Sequence, residues 1–156
     1  TGTASLPSEW KRFIPDDRDL IPSTLLATYE RSQDCPELNG CRTAAELLSG
    51  FSGTPGTPPS WWFVARHGGE PVGVVVFDAG TEPRALELNY LGLVPAVRGR
   101  GWGDWMVRFA LHFAAGEESS ALTLSVDVRN EPALRLYARH GFHEYDRRDV
   151  YLVSWA

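Results

Sequence analysis

Cysteine is nearly missing from this chain, with two thiols, Cys35 and Cys41, in 156 residues. Two are too few for a disulfide framework, and too few for a zinc site unless histidines complete it. His67, His112, His140 and His143 show no ligand spacing, so we expect no metal and place them at the surface or at helix ends. Positive charge is also short. The net charge is −5 and the pI about 5.3, which opposes the basic face that a nucleic-acid backbone needs, and no nucleic-acid partner is expected. No run of about eighteen apolar residues occurs, so no membrane partner is expected. Internal repeats, low-complexity segments and a signal-like start are likewise missing, and a reducing cytoplasm is the expected compartment. The first residues, Thr1-Gly2-Thr3, include no initiator Met, as a processed, trimmed or excised segment would have it.

Apolar residues, by contrast, are plentiful. They make up 43% of the chain, with six Trp, seven Phe and five Tyr. That is ample for a core, and the length suits a single domain over residues 1–156. Residues 9–14 suit a short first strand. Pro15-Asp16-Asp17 opens a helical stripe of Leu20, Ile21, Leu25, Leu26 and Tyr29 that runs through about Arg31. Thr43 and Glu46 have the spacing of a capping box, for a helix ending near Gly50. Residues 52–59 hold three prolines and two glycines and form a loop. Residues 61–65 and 72–77 are β-branched and aromatic, and His67-Gly68-Gly69-Glu70 joins them as a hairpin.

Leu86, Leu88 and Tyr90 alternate with Glu87 and Asn89, then lose phase at Leu91-Gly92-Leu93-Val94, where a β-bulge is expected. Trp105, Met106, Phe109, Ala110 and Phe113 mark the inner face of a helix over residues 104–115. Residues 122–128 alternate as a strand. Asn130 caps a further helix, with Pro132 in its first turn and Gly141 closing it. Residues 142–147 and 150–155 read as a last pair of strands. The class is α/β (α+β), a mixed sheet with helices on both faces.

Between the strand over 86–94 and the helix over 104–115 stands Arg98-Gly99-Arg100-Gly101-Trp102-Gly103. Three alternating glycines at a strand-to-helix turn bare a series of backbone N–H groups. The helix start adds its own N–H groups and positive dipole end, so the turn is a cradle for an anion, phosphate above all. The dinucleotide fingerprint fails, because the required small residue is Asp104 or Met106. A Walker-type Lys-Ser/Thr pair is missing too.

What remains, Arg-x-x-Gly-x-Gly after a bulged strand, resembles the acetyl-coenzyme A motif of the GCN5-related N-acetyltransferases, the GNAT superfamily. Asn130, Ala133, Tyr137, Gly141 and Phe142 resemble that family's Asn-x-x-Ala-x-x-x-Tyr-x-x-x-Gly-Phe segment. The resemblance implies the GNAT fold: a mixed, mostly antiparallel sheet of about six to seven strands, helices on both faces and a splayed central strand pair. It implies acetyl-CoA as cosubstrate. The backbone of Gly99, Arg100, Gly101, Trp102, Gly103 and Asp104, with Arg98 opening the motif, would hold the pyrophosphate. The backbone of Leu91, Leu93 and Val94 would pair with the pantetheine arm, and an N–H near Leu91 would polarise the acetyl carbonyl. Asn130 would contact the arm, and Tyr137 would be the general acid for the departing thiolate.

Elementary chemistry agrees with these roles. Amine attack on a thioester needs an unprotonated amine, an oxyanion binder and a proton for sulfur. Glu87 alternates to the face opposite Leu86, Leu88 and Tyr90 and matches the general-base glutamate of the family's histone-acetylating branch. The alternatives are a solvated strand carboxylate at Glu87, with the amine deprotonated through water, and a core tyrosine at Tyr137. Asp34 and Glu37 suit a solvated turn better than an acceptor site, Cys35 is not expected to carry an acyl group, and Trp61-Trp62 suits one residue in and one out of a strand. The expected activity is transfer of an acetyl group to a primary amine of a small molecule or peptide, by a monomer or homodimer. The alternatives are a non-catalytic CoA-binding regulatory module and an enzyme for a longer acyl-CoA.

Overall fold

Val72, Val74, Val75, Val76 and Phe77 set the centre of the fold. Side chains branched at Cβ favour extended backbone, and an apolar run without alternation belongs to a strand buried on both faces. The computed structural model describes residues 13–15, 21–34, 36–38, 43, 46, 61–149 and 151. In it the run lies in β3 (Glu70–Ala79), the middle strand of a five-stranded sheet. β1 (Phe13–Pro15), β2 (Trp62–His67), β3, β4 (Ala85–Leu93) and β5 (Ala121–Leu124) lie side by side across it in chain order. The first three pairings are antiparallel and β4–β5 is parallel. At the β2–β3 hairpin Gly68 and Gly69 have φ of +58° and +83°, the pair of left-handed conformations that a tight two-residue turn demands.

Alternation along β3 sends side chains to two helices. Val74 and Val76 pack with Leu25 of α1 (Ile21–Thr28), with Tyr29, Trp62 and Tyr90 at the margin. Val75 and Phe77 face the other way. They join Phe63, Leu88, Met106, Phe109 and Ala110 under α2 (Trp102–Gly116). Phe63 meets Phe109 edge-on at 4.9 Å between centroids. Each large side chain buried this way stabilises the fold by roughly 1.5–3 kcal/mol. Trp61 packs on the α2 side and Trp62 on the α1 side, one to each face. A third helix, α3 (Glu131–Arg139), is capped by Asn130 and buries none of its residues fully.

The β4 bulge sits earlier than the lost phase of the sequence suggested. Val76 opposes Tyr90 and Phe77 opposes Leu88, so the extra residue is Asn89 and not one at Gly92. The bulge reverses the facing of the residues beyond it. Tyr90 shares the α1 face with Glu87, not the opposite face that uninterrupted alternation implied. Pairing with β5 runs from Ala85–Ala121 to Leu88–Leu124 and stops there, so β5 is shorter than residues 122–128. Among the described residues the helix expected from Pro15 covers Ile21–Thr28, and Pro15 itself belongs to β1.

Residues 142–149 form no strand. Their two arginines pair inside the segment, Arg147 on Glu144 and Arg148 on Asp146, and Tyr145 is 75% exposed. Nothing in this stretch beyond Phe142 supplies an apolar face. The five strands among the described residues compare with the six to seven that the resemblance implied. Thr43 and Glu46 exchange the expected capping bonds: Thr43 N–H donates to the Glu46 carboxylate at 2.6 Å, and Glu46 N–H donates to Thr43 Oγ1 at 3.3 Å. The remainder of that helix, the loop over 52–59 and most of residues 9–14 and 150–155 lie outside the described residues.

Gly92 generates a test. A Cβ there would fall 2.5 Å from Tyr90 Oη and 2.8 Å from its ring. Gly92→Ala is expected to destabilise the chain by about 1–3 kcal/mol in urea unfolding. In a Tyr90→Ala background the added loss should nearly vanish, and equal losses in both backgrounds would show that the ring is not the obstacle.

Candidate active site

The strand-to-helix turn takes the conformation its glycines allow. Gly99 has φ +74°, and Gly101, the N-cap residue of α2, has φ +83°. No side chain caps this helix start. An ideal Cβ on Gly99 or Gly101 meets nothing within 4 Å, so glycine is required there by backbone angle while the space beside it stays open. An open concavity of N–H groups at a helix start suits phosphate oxygens. Gly103 serves packing instead: its Cβ would lie 3.0 Å from Leu136 Cδ2 of α3. Asp104, in the first turn of α2, fixes the same contact by accepting from His140 Nε2 at 2.8 Å and Arg139 at 3.2 Å. The His140 bond, with help from Arg139, holds the Asp104 carboxyl below the usual carboxylate range.

The side chain of Arg98, which opens the motif, runs away from the loop. Its guanidinium turns to backbone carbonyls of Thr28, Glu30, Arg31 and Leu93. Its own N–H donates to Pro95 O. The side chain is thus a clamp on the end of α1, and the loop's N–H groups begin after it.

Beside the loop runs the β4 edge left open by the bulge. Leu91 and Leu93 pair with Val75 and Gly73 of β3, and beyond Leu88 no β5 partner faces them among the described residues. Val94 N–H donates to Val72 O. This edge and the end of β5 bound the gap that a splayed central pair provides. Asn130, after β5, uses Oδ1 to accept from Ala133 N–H at 3.4 Å.

Tyr137 of α3 stands edge-on to Phe142 at 5.7 Å. Burial, then the nearby Asp34 carboxylate, pushes its hydroxyl up to about 12. Glu87 is half-buried opposite Asp78, and burial first, then the Asp78 charge, raises its pKa. The structure therefore groups Tyr137 with the glycine loop through α3, while the described partners of Glu87 are Asp78 and, on β5, Thr123.

Several residues of this region were not legible beforehand. Thr28 Oγ1 donates to Leu25 O at 2.6 Å, so the 2.7 Å contact with Tyr90 has the Tyr90 hydroxyl as donor. Tyr29 stacks on Tyr90 at 5.2 Å. Asp34 and Glu37, expected in a solvated turn, reach the loop before α3. Asp34 accepts from Asp127 N–H at 2.6 Å, and Glu37 pairs with Arg129. Burial and the Asp127 charge raise the Asp34 pKa. Partners 93 positions apart leave no periodic signal in a sequence.

A model of the acetyltransferase (GNAT) family matches residues 25–142. The chain belongs to the GNAT family. The match spans both glycine-turn and Tyr137 segments, and the mixed sheet is that of the GNAT fold. Among relatives, the N-alpha-acetyltransferase RimI of Mycobacterium tuberculosis is 33% identical over 150 residues, covering 88% of this chain and 90% of RimI. A mycothiol acetyltransferase of Streptomyces bingchenggensis is 32% identical over 99 residues, or 64% of this chain. The chain spans only 32% of that protein's length. The solved structure of an aminoglycoside acetyltransferase, HMB0005, from an uncultured soil metagenomic sample superposes with a TM-score of 0.62 at 18% identity, over 91% of this chain and 96% of that one. At that identity the likeness is one of fold.

The loop angles make a direct prediction. Gly101→Ala places an L side chain in the left-handed region and should cost about 1–2 kcal/mol of stability although nothing touches the new methyl. Gly116 closes α2 with equally open space and no positive φ. Gly116→Ala should be neutral or stabilise by up to about 1 kcal/mol. Thermal melts of the two variants compare the cases, and equal shifts would deny that the GNAT loop is held by its backbone angles.

Proposed function

We propose that this chain transfers an acetyl group from acetyl-CoA to a primary amine of a small molecule or peptide, by direct attack in a ternary complex. The observation that carries the reading is the glycine cradle at the start of α2 lying beside the open edge of β4. One binds a pyrophosphate and the other an extended arm. The N–H groups from Gly99 to Asp104 would take the phosphates, and the backbone of Leu91, Leu93 and Val94 would pair with the pantetheine. The RimI relative, an N-alpha-acetyltransferase, supports a peptide end as acceptor, and the mycothiol acetyltransferases support a small molecule.

In the reaction the amine nitrogen bonds to the thioester carbon and the carbon–sulfur bond breaks. The N–H near Leu91 steadies charge on the carbonyl oxygen. Glu87, directly or through a water, takes the amine proton. Tyr137 stays protonated throughout the neutral range because its pKa is up at about 12. That hydroxyl is a weaker acid than a thiol of pKa about 8.5, so its part is a hydrogen bond to sulfur as the bond lengthens, with proton delivery to a good leaving group a small gain.

The decisive assay is release of free thiol from acetyl-CoA in the presence of short peptides with a free α-amine and of small primary amines. Acetyl-CoA binding without thiol release would leave a CoA-binding module, and release only from longer acyl-CoAs would change the donor.

Tyr137→Phe keeps the ring, so acetyl-CoA affinity should hold while turnover falls by about 10², the loss expected for one hydrogen bond to charge that develops only in the transition state. Steady-state kinetics check this, and a rate within about twofold of wild type, with chemistry limiting, would remove Tyr137 from the mechanism.

For Glu87 the sign is set by its raised pKa. A base works only when unprotonated, so activity should fall as pH drops through a value above the ordinary carboxylate range. Glu87→Gln should lower the rate and erase that limb of the profile. An unchanged profile assigns the limb to the acceptor amine alone.

A further inference from the structure

We infer that Arg98 is a positioning residue that couples the glycine loop to the wall met by the acceptor. The inference rests on the acetyl-CoA reading above and adds a route by which one substrate prepares the site of the other. Arg98 begins the loop, with φ −65° and ψ 148° leading directly into the left-handed Gly99. Its side chain runs the opposite way. Nε–H donates to Leu93 O at 3.1 Å, at the end of β4. Nη2–H donates to Thr28 O at 2.8 Å, and Nη1–H donates to Glu30 O at 2.8 Å and Arg31 O at 3.3 Å, at the end of α1.

The last turn of a helix leaves its carbonyls without partners, and a cation there gains from both the dipole and the hydrogen bonds. Bridging several carbonyls at once needs the planar fork of arginine, which lysine lacks. One residue thus fixes both the start of the phosphate loop and the end of α1.

What α1 carries onward gives this consequence. Thr28 accepts from Tyr90, and Tyr29 stacks on Tyr90, on the sheet face shared with Glu87. A few residues later Asp34 and Glu37 hold the loop before α3, which bears Tyr137. The described residues between Thr28 and Glu37 therefore connect the glycine loop to Tyr90, on the sheet face of Glu87, and to the loop before the helix of Tyr137. An anion that orders the loop also orders this link through Arg98, so the acceptor binds better to the acetyl-CoA complex than to the free protein. By reciprocity the acceptor tightens acetyl-CoA by the same factor.

The test uses the whole chain. Hydrogen exchange with and without acetyl-CoA should show added protection of the amides at residues 28–31 as well as in the loop. In Arg98→Gln the acceptor KM should rise by about fivefold or more, within the range of about 5–150 usual for coupled sites, and Arg98→Lys should recover part of it. The acetyl-CoA Kd measured without acceptor should stay within about twofold. A rise in the acetyl-CoA KM with the acceptor KM unchanged would make Arg98 a cofactor ligand and overturn the inference. So would two unchanged KM values in variants that are merely less stable. Exchange at residues 28–31 that does not respond, in a wild-type chain whose melting temperature acetyl-CoA does raise, overturns it while leaving the acetyltransferase reading intact. A wild-type chain that acetyl-CoA does not stabilise at all overturns both.

Discussion

The extra residue at Asn89 is the constraint from which the rest of the site descends. A parallel pair as short as Ala85–Leu88 against Ala121–Leu124 exists because β4 cannot keep register with both neighbours after a bulge. The strand stays with β3 and leaves β5, which opens one edge of its backbone. The same half-turn delivers Tyr90 to the α1 face, where its hydroxyl finds Thr28 and its ring finds Tyr29. One inserted residue thereby makes the gap and recruits a helix to line one side of it.

Around that gap the chain divides its work between rigid and adjustable parts. β3 and α2 contribute fully buried side chains such as Phe77 and Met106, packed to a density that admits little movement. The groups proposed for chemical tasks lie outside this core: Gly99 to Gly101 are exposed, and Glu87 and Tyr137 are partly buried. Partial burial is also what shifts their titration. A carboxylate in water would not rise in pKa, and Glu87 does because it is half-covered and opposite Asp78.

The parts of the structure legible beforehand were those with local causes. The glycine spacing carries its own backbone logic, Asn130 caps the helix next to it, and the β-branched and aromatic runs over 61–65 and 72–77 read as the hairpin that β2 and β3 form. The Thr43–Glu46 box closes within four residues. Misreadings came where a distant partner decides. Alternation placed Tyr90 opposite Glu87 because a bulge is invisible until the neighbouring strand fixes the register. Residues 142–147 alternate well enough for a strand, but their charges pair with one another. Arg98 stands in the motif, and besides the nearby Leu93 O its side chain donates to carbonyls of Thr28, Glu30 and Arg31 some seventy positions earlier. No pattern within a window of sequence contains that information.

The helix that carries Tyr137 is the least anchored of the three described α-helices. None of its residues is fully buried, and it is held by Leu136 on Gly103, by the Asp104 contacts with Arg139 and His140, and by the cap at its start. The sheet and α2, with their shared core, must be far more resistant to opening. Local melting of α3 would expose Tyr137 to water and bring its hydroxyl back towards an ordinary acidity while the sheet stayed intact. On warming, such a chain loses the environment of Tyr137 first and its fold afterwards, so the temperature at which Tyr137 keeps its surroundings is set by one exposed helix and not by the core.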